Sequence, residues 1–422
     1  MRFPIKALSI FCMAGLALTA FTSCSDDDND NNGSDATTLS EGDQYLQKVL
    51  AENVDNTINP TYAAMALAAD SLYTQVQAIH EATKTGTVTQ AMVDQACKNW
   101  KSARARYEKS EAFLMGAAAD YDIDPHIDTW PLDLATLCQT LNNDQLIKSY
   151  DTDDKDANAA KANSDLGQTV LGFHGVEFIL FRDGQPRKAA ELNGYDTYNK
   201  DGLDFTRFSG EYEMIFAEAV TGDLRNSIYR LEVCWNENAP KSHFDVLEGL
   251  EWNTKMSNSD QSYGQNMKSA GQAGSLYRSI KTACSAVIAG DGGAVGISDE
   301  VGLTKISLPY TGSDIHYIES PYSYNSLTDF WDNIQSIANV WYGGVEENRG
   351  SYSFDGYFKK YNPTIATNVE QAIVNAQATI KSIPTPFVLN YTSPKCKDAI
   401  DACKALSDAL SAANDYIVNS KD

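Results

Sequence analysis

The sequence predicts an all-α protein built from two helix bundles. Apolar residues recur with a helical period over most of the 422 residues, whereas the alternation typical of strands is rare. The long helices are too numerous for one four-helix bundle. Both ends of the chain show a long helix, a short loop and a second long helix, and the segments VDQACKNW and IDACKAL are alike, which points to a duplication. We expect the boundary between the bundles within residues 185–260.

The helices are predicted from apolar spacing and from their flanking residues. Thr87 is a plausible cap of the second helix, and Gly116 stands near its end. The glycine-rich stretch AGDGGAVGISDEVG, which starts at residue 289, predicts a loop. The predicted helices cover, in chain order, residues 60–84, 87–116, 131–149, 162–181, 204–236, 262–289, 325–342, 364–382 and 394–418.

The N-terminus resembles a bacterial lipoprotein signal. A basic segment, MRFPIK, precedes the apolar stretch ALSIFCMAGLALTAF, which is too short to span a bilayer, and small residues precede Cys24. We expect residues 1–24 to be the signal peptide and Cys24 to become the lipidated first residue; an ordinary signal peptide cut nearby is the alternative. Residues 25–40 predict a disordered acidic tether, and residues 41–422 the helical domain.

Charge and the tether indicate where the protein acts. The net charge of −24 argues against nucleic-acid binding and against docking on anionic lipid, because both need basic patches. An acidic run after a lipidated cysteine resembles the export signal of surface lipoproteins in some Gram-negative bacteria, although a plain solvated spacer is the alternative. We therefore expect a lipid anchor in the outer membrane, at the cell surface or else on the periplasmic face.

The helix predicted at 87–116 places charged side chains on the stripe that faces its bundle. Trp100, Arg104, Tyr107 and Glu111 fall within a wedge of ~60° at about 100° per residue. Charged side chains are rarely buried unless they are paired. Arg104 and Glu111 are therefore candidates for ligand binding, and the alternative is a solvated stripe or a structural ion pair.

The stretch LGFHGVEFILF combines a largely apolar helix with His174 and Glu177. Three residues apart on a helix, the two side chains can converge on one point. Gly172 and Gly175 allow a ligand or another backbone to approach closely. The pair is a candidate metal site, and the alternative is a buried hydrogen bond that holds helices together.

A third helix, predicted at 325–342, also turns polar groups inward. Ser326, Asp329 and Asn333 continue one face into apolar residues. Ser326 could simply cap the helix. Since three separate helices share this feature, we expect their polar groups to form one site.

These segments, in this order, resemble the imelysin family. The family signature Gly-x-His-x-x-Glu matches Gly172, His174 and Glu177, and the resemblance covers most of the mature chain. The other matched positions are Trp100, Arg104, Tyr107 and Glu111, then Trp130, Pro131 and Asp133 in a Trp-Pro-x-Asp motif, and then Ser320, Ser323, Asp329, Asn333, Tyr342 and Gly343.

The resemblance implies two related four-helix bundles with the site at their interface, in a bacterial envelope protein linked to iron uptake. The residues expected to bind the ligand are Trp100, Arg104, Tyr107, Glu111, Trp130, Asp133, Gly172, His174, Glu177, Ser320, Ser323, Ser326, Asp329 and Asn333. His174 and Glu177 are the expected metal ligands, for iron or alternatively for zinc. The ligand could be the ion, haem or a small molecule, and an outer-membrane uptake protein is a possible partner.

Because the family was first classed as metallopeptidases, a peptidase that uses HxxE is the main alternative. A zinc peptidase needs about three protein ligands and a general base, and HxxE supplies two ligands. The zincin motif HExxH is absent, since HEATK at residue 80 differs at its last position. The paired Glu-x-x-His motifs of ferritin-like di-iron sites are absent too. A surface interaction module is a third reading; we favour binding over catalysis. A second HxxE ends at Glu319 and has no assigned role.

We predict that Cys24→Ala moves the protein from the membrane fraction to the soluble fraction, because the lipid would supply the only membrane affinity of the chain. Fractionation of cells that express each form, followed by a salt wash, measures this. A Cys24→Ala protein that stays with the membrane would contradict the lipoprotein assignment.

Overall fold

The chain is predominantly helical, as the sequence predicts. The computed structural model describes residues 39–200, 202–257 and 259–421, so the signal peptide, Cys24 and residues 25–38 of the tether lie outside the described residues. The α-helices are, in chain order, α1 (Glu41–Asn53), α2 (Asn59–Thr83), α3 (Gln90–Glu108), α4 (Ala117–Asp120), α5 (Ile123–Asp128), α6 (Leu134–Leu141), α7 (Asp144–Lys148), α8 (Lys155–Asp165), α9 (Gly172–Leu180), α10 (Ala189–Leu192), α11 (Gly210–Trp235), α12 (Lys241–Gly249), α13 (Tyr263–Lys268), α14 (Ile280–Ala289), α15 (Ala294–Asp299), α16 (Ser307–Thr311), α17 (Ser326–Trp341), α18 (Phe354–Tyr361), α19 (Pro363–Ser382), α20 (Phe387–Asn390) and α21 (Pro394–Asn419).

Strands in the described chain are confined to two short antiparallel hairpins. Phe181 lies opposite Pro186 in the first hairpin, and Asn199 lies opposite Asp204 in the second. The strands are β1 (Phe181–Arg182), β2 (Gln185–Pro186), β3 (Asn199–Lys200) and β4 (Leu203–Asp204), and the 3₁₀ turns are Glu111–Phe113, Gln168–Val170 and Glu346–Asn348.

The helices pack as two sets, each around one long helix. In the first set, α2, α8 and α9 pack on α11, and α3 packs on α2. In the second set, α14, α15 and α19 pack on α21, and α17 packs on α19. Contacts between α3 and α17 join the two sets. Helix α11 belongs to the first set, and a bundle boundary within residues 185–260 stays a prediction.

Two π-helical segments make longer continuous helices. Val54–Ile58 joins α1 to α2, and Glu300–Ile306 joins α15 to α16. The second of these helices replaces much of the predicted glycine-rich loop. Gly302 does not form a turn there: a Cβ at this position would approach the Cβ of Cys403 on α21 to 2.8 Å. The glycine therefore serves close helix packing.

The second predicted helix differs from the structure at both ends. Thr89, not Thr87, caps α3 by accepting a hydrogen bond from the Met92 amide. Helix α3 ends at Glu108 instead of residue 116. The Ser110 hydroxyl and amide both donate to the Tyr107 carbonyl, at 2.6 and 2.7 Å, so a turn competes with the next helical hydrogen bond. The helices that were not predicted are α1, α4, α5, α10, α12, α15, α16, α18 and α20.

The described helices include none that is both long and apolar enough to cross a membrane. The six cysteines of the described chain are all buried and form no disulfide. Their thiols fill the helical core as small apolar groups.

Gly172 positions the start of α9 against α5. Its φ of +65° is a conformation that other residues rarely adopt. A Cβ at this position would also overlap the backbone carbonyl of Ile127. The first glycine of the GxHxxE motif is therefore required by a close approach of two backbones.

We predict that Gly172→Ala destabilises the protein by about 3 kcal/mol or more, since it adds steric overlap to backbone strain. Gly86→Ala is the matched control, because Gly86 has the same φ of +65° and a Cβ there would meet nothing within 4 Å. Backbone strain alone should cost the control about 1 kcal/mol. Urea unfolding measures both variants, and equal losses would show that the contact with Ile127 is unimportant.

Candidate functional site

Helix α3 and the motif helix α9 are joined by aromatic contacts. The Trp100 indole donates to the Phe173 carbonyl at 3.0 Å, and the Phe173 ring lies against both Trp100 and Tyr107. The Tyr107 hydroxyl donates to Asp124. Trp100 and Tyr107 are fully buried, so these two predicted site residues support the site by positioning its helices.

Arg104 is fully buried and contacts four carboxylates from four segments. Its guanidinium pairs directly with Glu108 on the same helix and with Asp128 at the end of α5. It also lies 2.6 Å from Glu319 and 3.8 Å from Asp329 on α17. Burial alone would lower the pKa of Arg104, but the carboxylates of Asp128 and Glu108 hold it well above its ordinary value. The guanidinium therefore stays charged.

Lys305 is a second buried cation, and it lies in the π-helical segment. Its ammonium is 3.1 Å from Glu319, 3.5 Å from Glu111, 3.9 Å from Glu108 and 3.2 Å from the Asn333 side-chain oxygen. Burial would lower the pKa of Lys305, but Glu111 and Glu319 hold it well above its usual range. Lys305 thus neutralises part of the same group of carboxylates.

The motif histidine is held by carboxylates on both ring nitrogens. Nδ1 of His174 lies 3.0 Å from Glu177, and Nε2 lies 3.2 Å from Asp128. Burial would lower the pKa of His174, but the adjacent carboxylates of Asp128 and Glu177 raise it to about 9. The other Glu177 oxygen accepts from the Ser323 hydroxyl and from the backbone amides of Ser323 and Tyr322, at 2.7 to 3.0 Å. Glu177 therefore orients the imidazole and anchors this serine-rich segment.

The residues of α17 face the same point. Asp329 accepts hydrogen bonds from Ser320 at 2.5 Å and from Asn325 at 2.6 Å. Burial raises the pKa of Asp329 to about 7, although Arg104 opposes the shift. Asn333 donates to Glu108 at 2.5 Å. Ser326 instead donates to the Glu319 carbonyl and so holds the backbone that presents Glu319.

Carboxyl groups outnumber cations in this buried region. Burial raises the pKa of Glu108 and of Glu111 well above the ordinary value. Oε2 of Glu319 is buried and accepts no hydrogen bond from any described residue. An additional proton or cation would therefore be stabilised here. We call these residues the acidic cluster: Glu108, Glu111, Asp128, Glu177, Glu319 and Asp329 with Arg104, Lys305 and His174.

Two groups of possible metal ligands lie within the acidic cluster. Ligand atoms of Asp128, His174 and Glu319 lie within 4.8 Å of one another, and so do those of Glu108, Glu111 and Asp128. The predicted pair was His174 with Glu177, but Glu177 belongs to neither group. Both of its oxygens already accept hydrogen bonds, which is the part that a supporting residue plays beside a ligating histidine.

The two ends of the Trp-Pro-x-Asp motif lie in different places, with Trp130 beside the acidic cluster and Asp133 on the surface. The Trp130 ring lies 4.0 Å from the Tyr317 ring, and the Lys305 ammonium lies 5.8 Å from Trp130. This half-buried aromatic pair therefore borders the acidic cluster. Asp133 is exposed and caps α6 by accepting from the Thr136 amide at 2.9 Å, so its predicted role in the site is corrected to a local one.

The ion pair between Arg104 and Glu111, which was the alternative to ligand binding, does not form. Because α3 ends at Glu108, Glu111 belongs to a separate 3₁₀ turn and contacts Lys305. Arg104 pairs with Glu108 instead, one helical turn along. Glu111 is still part of the acidic cluster, through its contact with Lys305 and not through Arg104.

Four members of the acidic cluster were absent from the sequence prediction. Glu108 could have been found, since it stands four residues after Arg104. Glu319 closes the second HxxE motif, whose His316 is exposed. Asp128 stands two residues before Trp130, among other aspartates that carry no distinguishing signal. Lys305 follows a stretch that predicted a loop.

The protein is of the all-α class, with two packed helix sets and the GxHxxE motif at their junction. The sequence profile named Imelysin matches residues 58–413, and the chain belongs to the imelysin family. Membership agrees with the resemblance carried by the motif residues.

Several known proteins are similar over most of the chain. Iron-regulated protein A of Synechococcus elongatus is 25% identical over 362 residues, which cover 85% of this chain and 82% of the relative. A crystal structure of a candidate iron-regulated protein A precursor from Parabacteroides distasonis has a TM-score of 0.69 at 26% identity, covering 90% of this chain and 96% of that one. An imelysin-like protein from Psychrobacter arcticum shares the fold, with a TM-score of 0.52 at 12% identity, covering 88% and 94%.

We predict that Arg104→Met destabilises the protein by about 3–5 kcal/mol, because it leaves buried carboxylates without their cation. Arg106→Met is the control on the same helix. Arg106 is half-buried, and among the described residues it hydrogen-bonds only Ser102. Its loss should cost less than about 1 kcal/mol. Denaturant unfolding measures both, and comparable losses would rule out the special role of Arg104.

Proposed function

We propose that this protein is a cell-envelope lipoprotein that binds iron, or a small iron-bearing ligand, at the acidic cluster for uptake. The names of the relatives motivate the choice of iron. The observation that carries the proposal is the convergence of Asp128, His174 and Glu319, whose ligand atoms lie within 4.8 Å of one another in a buried site. One imidazole with carboxylates is a ligand set that suits iron.

The arrangement of cations indicates how an ion would enter. Arg104 and Lys305 already contact Glu319, at 2.6 and 3.1 Å. Arg104 also pairs with Asp128, so a metal ion that binds Asp128 and Oε1 of Glu319 has to displace part of these contacts. The uncommitted Oε2 of Glu319 supplies a ligand atom that no described residue competes for. Iron binding is thus an exchange of cations within a region that carries excess negative charge.

Burial favours an ion or a small ligand over haem. The side chains of His174, Asp128 and Glu319 are between 0 and 5% exposed. Haem would need a cavity of several hundred Å³ at this point. The Trp130–Tyr317 pair borders the cluster, and Tyr317 follows an exposed segment at 311–316. Movement of this aromatic pair would open a route from the surface to the acidic cluster.

The sequence supports a position at the cell envelope. Lipidation at Cys24 and the acidic tether would hold the helical domain at the outer membrane, on the surface of a Gram-negative bacterium or on its periplasmic face. An outer-membrane uptake protein would then receive the ligand. The strongly negative surface would favour approach of cations.

A metallopeptidase is the second candidate, with zinc as its ion. Asp128, His174 and Glu319 would satisfy the usual number of three protein ligands. A peptidase also needs an open coordination position that a peptide can reach. Here the ligand atoms are buried and Arg104 contacts two of the three residues. The geometry therefore favours binding over catalysis.

We predict that the purified protein binds iron and that Glu319→Gln weakens binding at least about tenfold, because an amide replaces a negatively charged ligand. Asp332→Asn is the matched control. Asp332 is also a buried carboxylate of α17, but it pairs with Lys109 at 3.3 Å outside the acidic cluster. Iron titration with metal analysis, and a peptidase assay with and without zinc, test both functions.

The outcomes separate the two functions. Iron binding that Glu319→Gln weakens and Asp332→Asn leaves unchanged would support the proposal. Equal affinities of wild type and Glu319→Gln would exclude the acidic cluster as the site. Zinc-dependent peptide cleavage that Glu319→Gln abolishes would instead establish the peptidase.

A further inference from the structure

A second candidate site lies on the other side of α5 from the acidic cluster. A cavity of about 190 Å³ is lined by His126 of α5, by Ser227 and Arg230 of α11, and by the rings of Tyr121 and Trp252. His126 and Asp128 are two residues apart, so their side chains leave α5 in roughly opposite directions. The cavity is therefore separate from the site proposed for iron.

Arg230 presents a fixed and unpaired guanidinium to this cavity. Its Nε donates to the Asn253 carbonyl at 2.9 Å. Its guanidinium carbon lies 3.8 Å from the Tyr121 ring centroid and 5.3 Å from that of Trp252. None of the described carboxylates forms an ion pair with it, although acidic residues greatly outnumber basic ones in this chain. Both terminal nitrogens remain available for a bidentate acceptor.

Two neighbouring residues affect what Arg230 can bind. Ser227 supplies a further hydrogen-bond donor, and Asp223 is already paired with other side chains. Ser227 lies three residues before Arg230, the residue is 3% exposed, and its hydroxyl has no hydrogen-bond partner among the described residues. Asp223 is already occupied, because it accepts from Asn163 and pairs with His126, both at 2.7 Å. The cavity thus offers donors to an acceptor that the described chain does not supply.

We propose that this cavity binds a small organic monocarboxylate. Arg230 holds the carboxylate with two parallel hydrogen bonds, Ser227 donates to it, and the apolar part of the ligand packs against Trp252. The volume is below the ~300 Å³ at which ordinary ligand pockets begin, so the ligand is about the size of one ring, and haem and peptides are too large. A dianion such as phosphate is disfavoured, because Asp122 lines the cavity and Asp223 lies behind His126, and both repel a second negative charge.

Benzoate tests the proposal on the full-length chain, independently of iron. Calorimetric titration should show benzoate binding to the wild type, and Arg230→Gln should weaken it at least about tenfold, since a charge-assisted pair is lost. Ser227→Ala should weaken it several-fold. Arg349→Gln is the matched control: Arg349 also lies over a ring, 4.6 Å from Tyr342, and is exposed without an ion pair among the described residues. It should leave binding unchanged.

Two further probes define the class of ligand. Benzamide has the shape of benzoate without its charge and should not bind, and inorganic phosphate should bind more weakly than benzoate. If Arg230→Gln fails to fold, Ser227→Ala and the comparison of benzoate with benzamide decide the matter. Absence of benzoate binding, equal binding of benzamide or phosphate, or equal losses in Arg230→Gln and Arg349→Gln would each overturn the proposal.

Discussion

The fold depends on the burial of the Arg104 guanidinium among carboxylates from several segments. Helix α3 supplies Arg104 and Glu108, α5 supplies Asp128, and α17 supplies Asp329, while Glu319 comes from the chain before α17. A buried charge is tolerated only when its partners are present. The two helix sets therefore have to meet in one arrangement, since each alone would leave buried charges without partners.

Such a cluster is a poor way to stabilise a helix junction. Well-packed apolar residues of similar volume often stabilise a protein as well as a buried ion pair or better. Burial of Glu108 and Glu111 raises the pKa of each, so part of the cluster is costly to ionise. Charges at this position are therefore better explained by ligand binding, as proposed, than by stability. Glu177 serves both ligand binding and stability. It orients His174 at the proposed site, and it also holds the backbone of Ser323.

The sequence predicted the parts of the structure that depend on periodicity and failed where tertiary contacts decide. The helical class, the convergence of His174 with Glu177 and the inward face of Asp329 and Asn333 follow from positions three or four residues apart. Within the predicted glycine-rich loop, Gly302 lies in a helix and packs against Cys403 of α21, a tertiary contact that leaves no local pattern. The end of α3 is a different case, because the Ser110–Tyr107 hydrogen bond spans only three residues and was overlooked in the sequence.

The same limit applies to the acidic cluster. Lys305 and Glu319 come from segments without regular spacing, so only the fold brings them to Arg104. Asp133 shows the reverse case. It belongs to a matched family motif, yet its carboxylate serves as the cap of α6. A family motif thus indicates which region of the structure contains the site, and the role of each motif residue depends on the direction of its side chain.

The π-helical segment Glu300–Ile306 has an evolutionary consequence. A π-helical turn holds one more residue than an α-helical turn, so its loss by a single-codon deletion would restore an ordinary helix. Every side chain on one side of the deletion would then rotate by about 100° relative to the other side. Lys305 lies within this segment, and its direction depends on the extra residue. Among relatives, the length of this short stretch would therefore report whether a lysine points into the junction or away from it, even where the surrounding sequence has diverged.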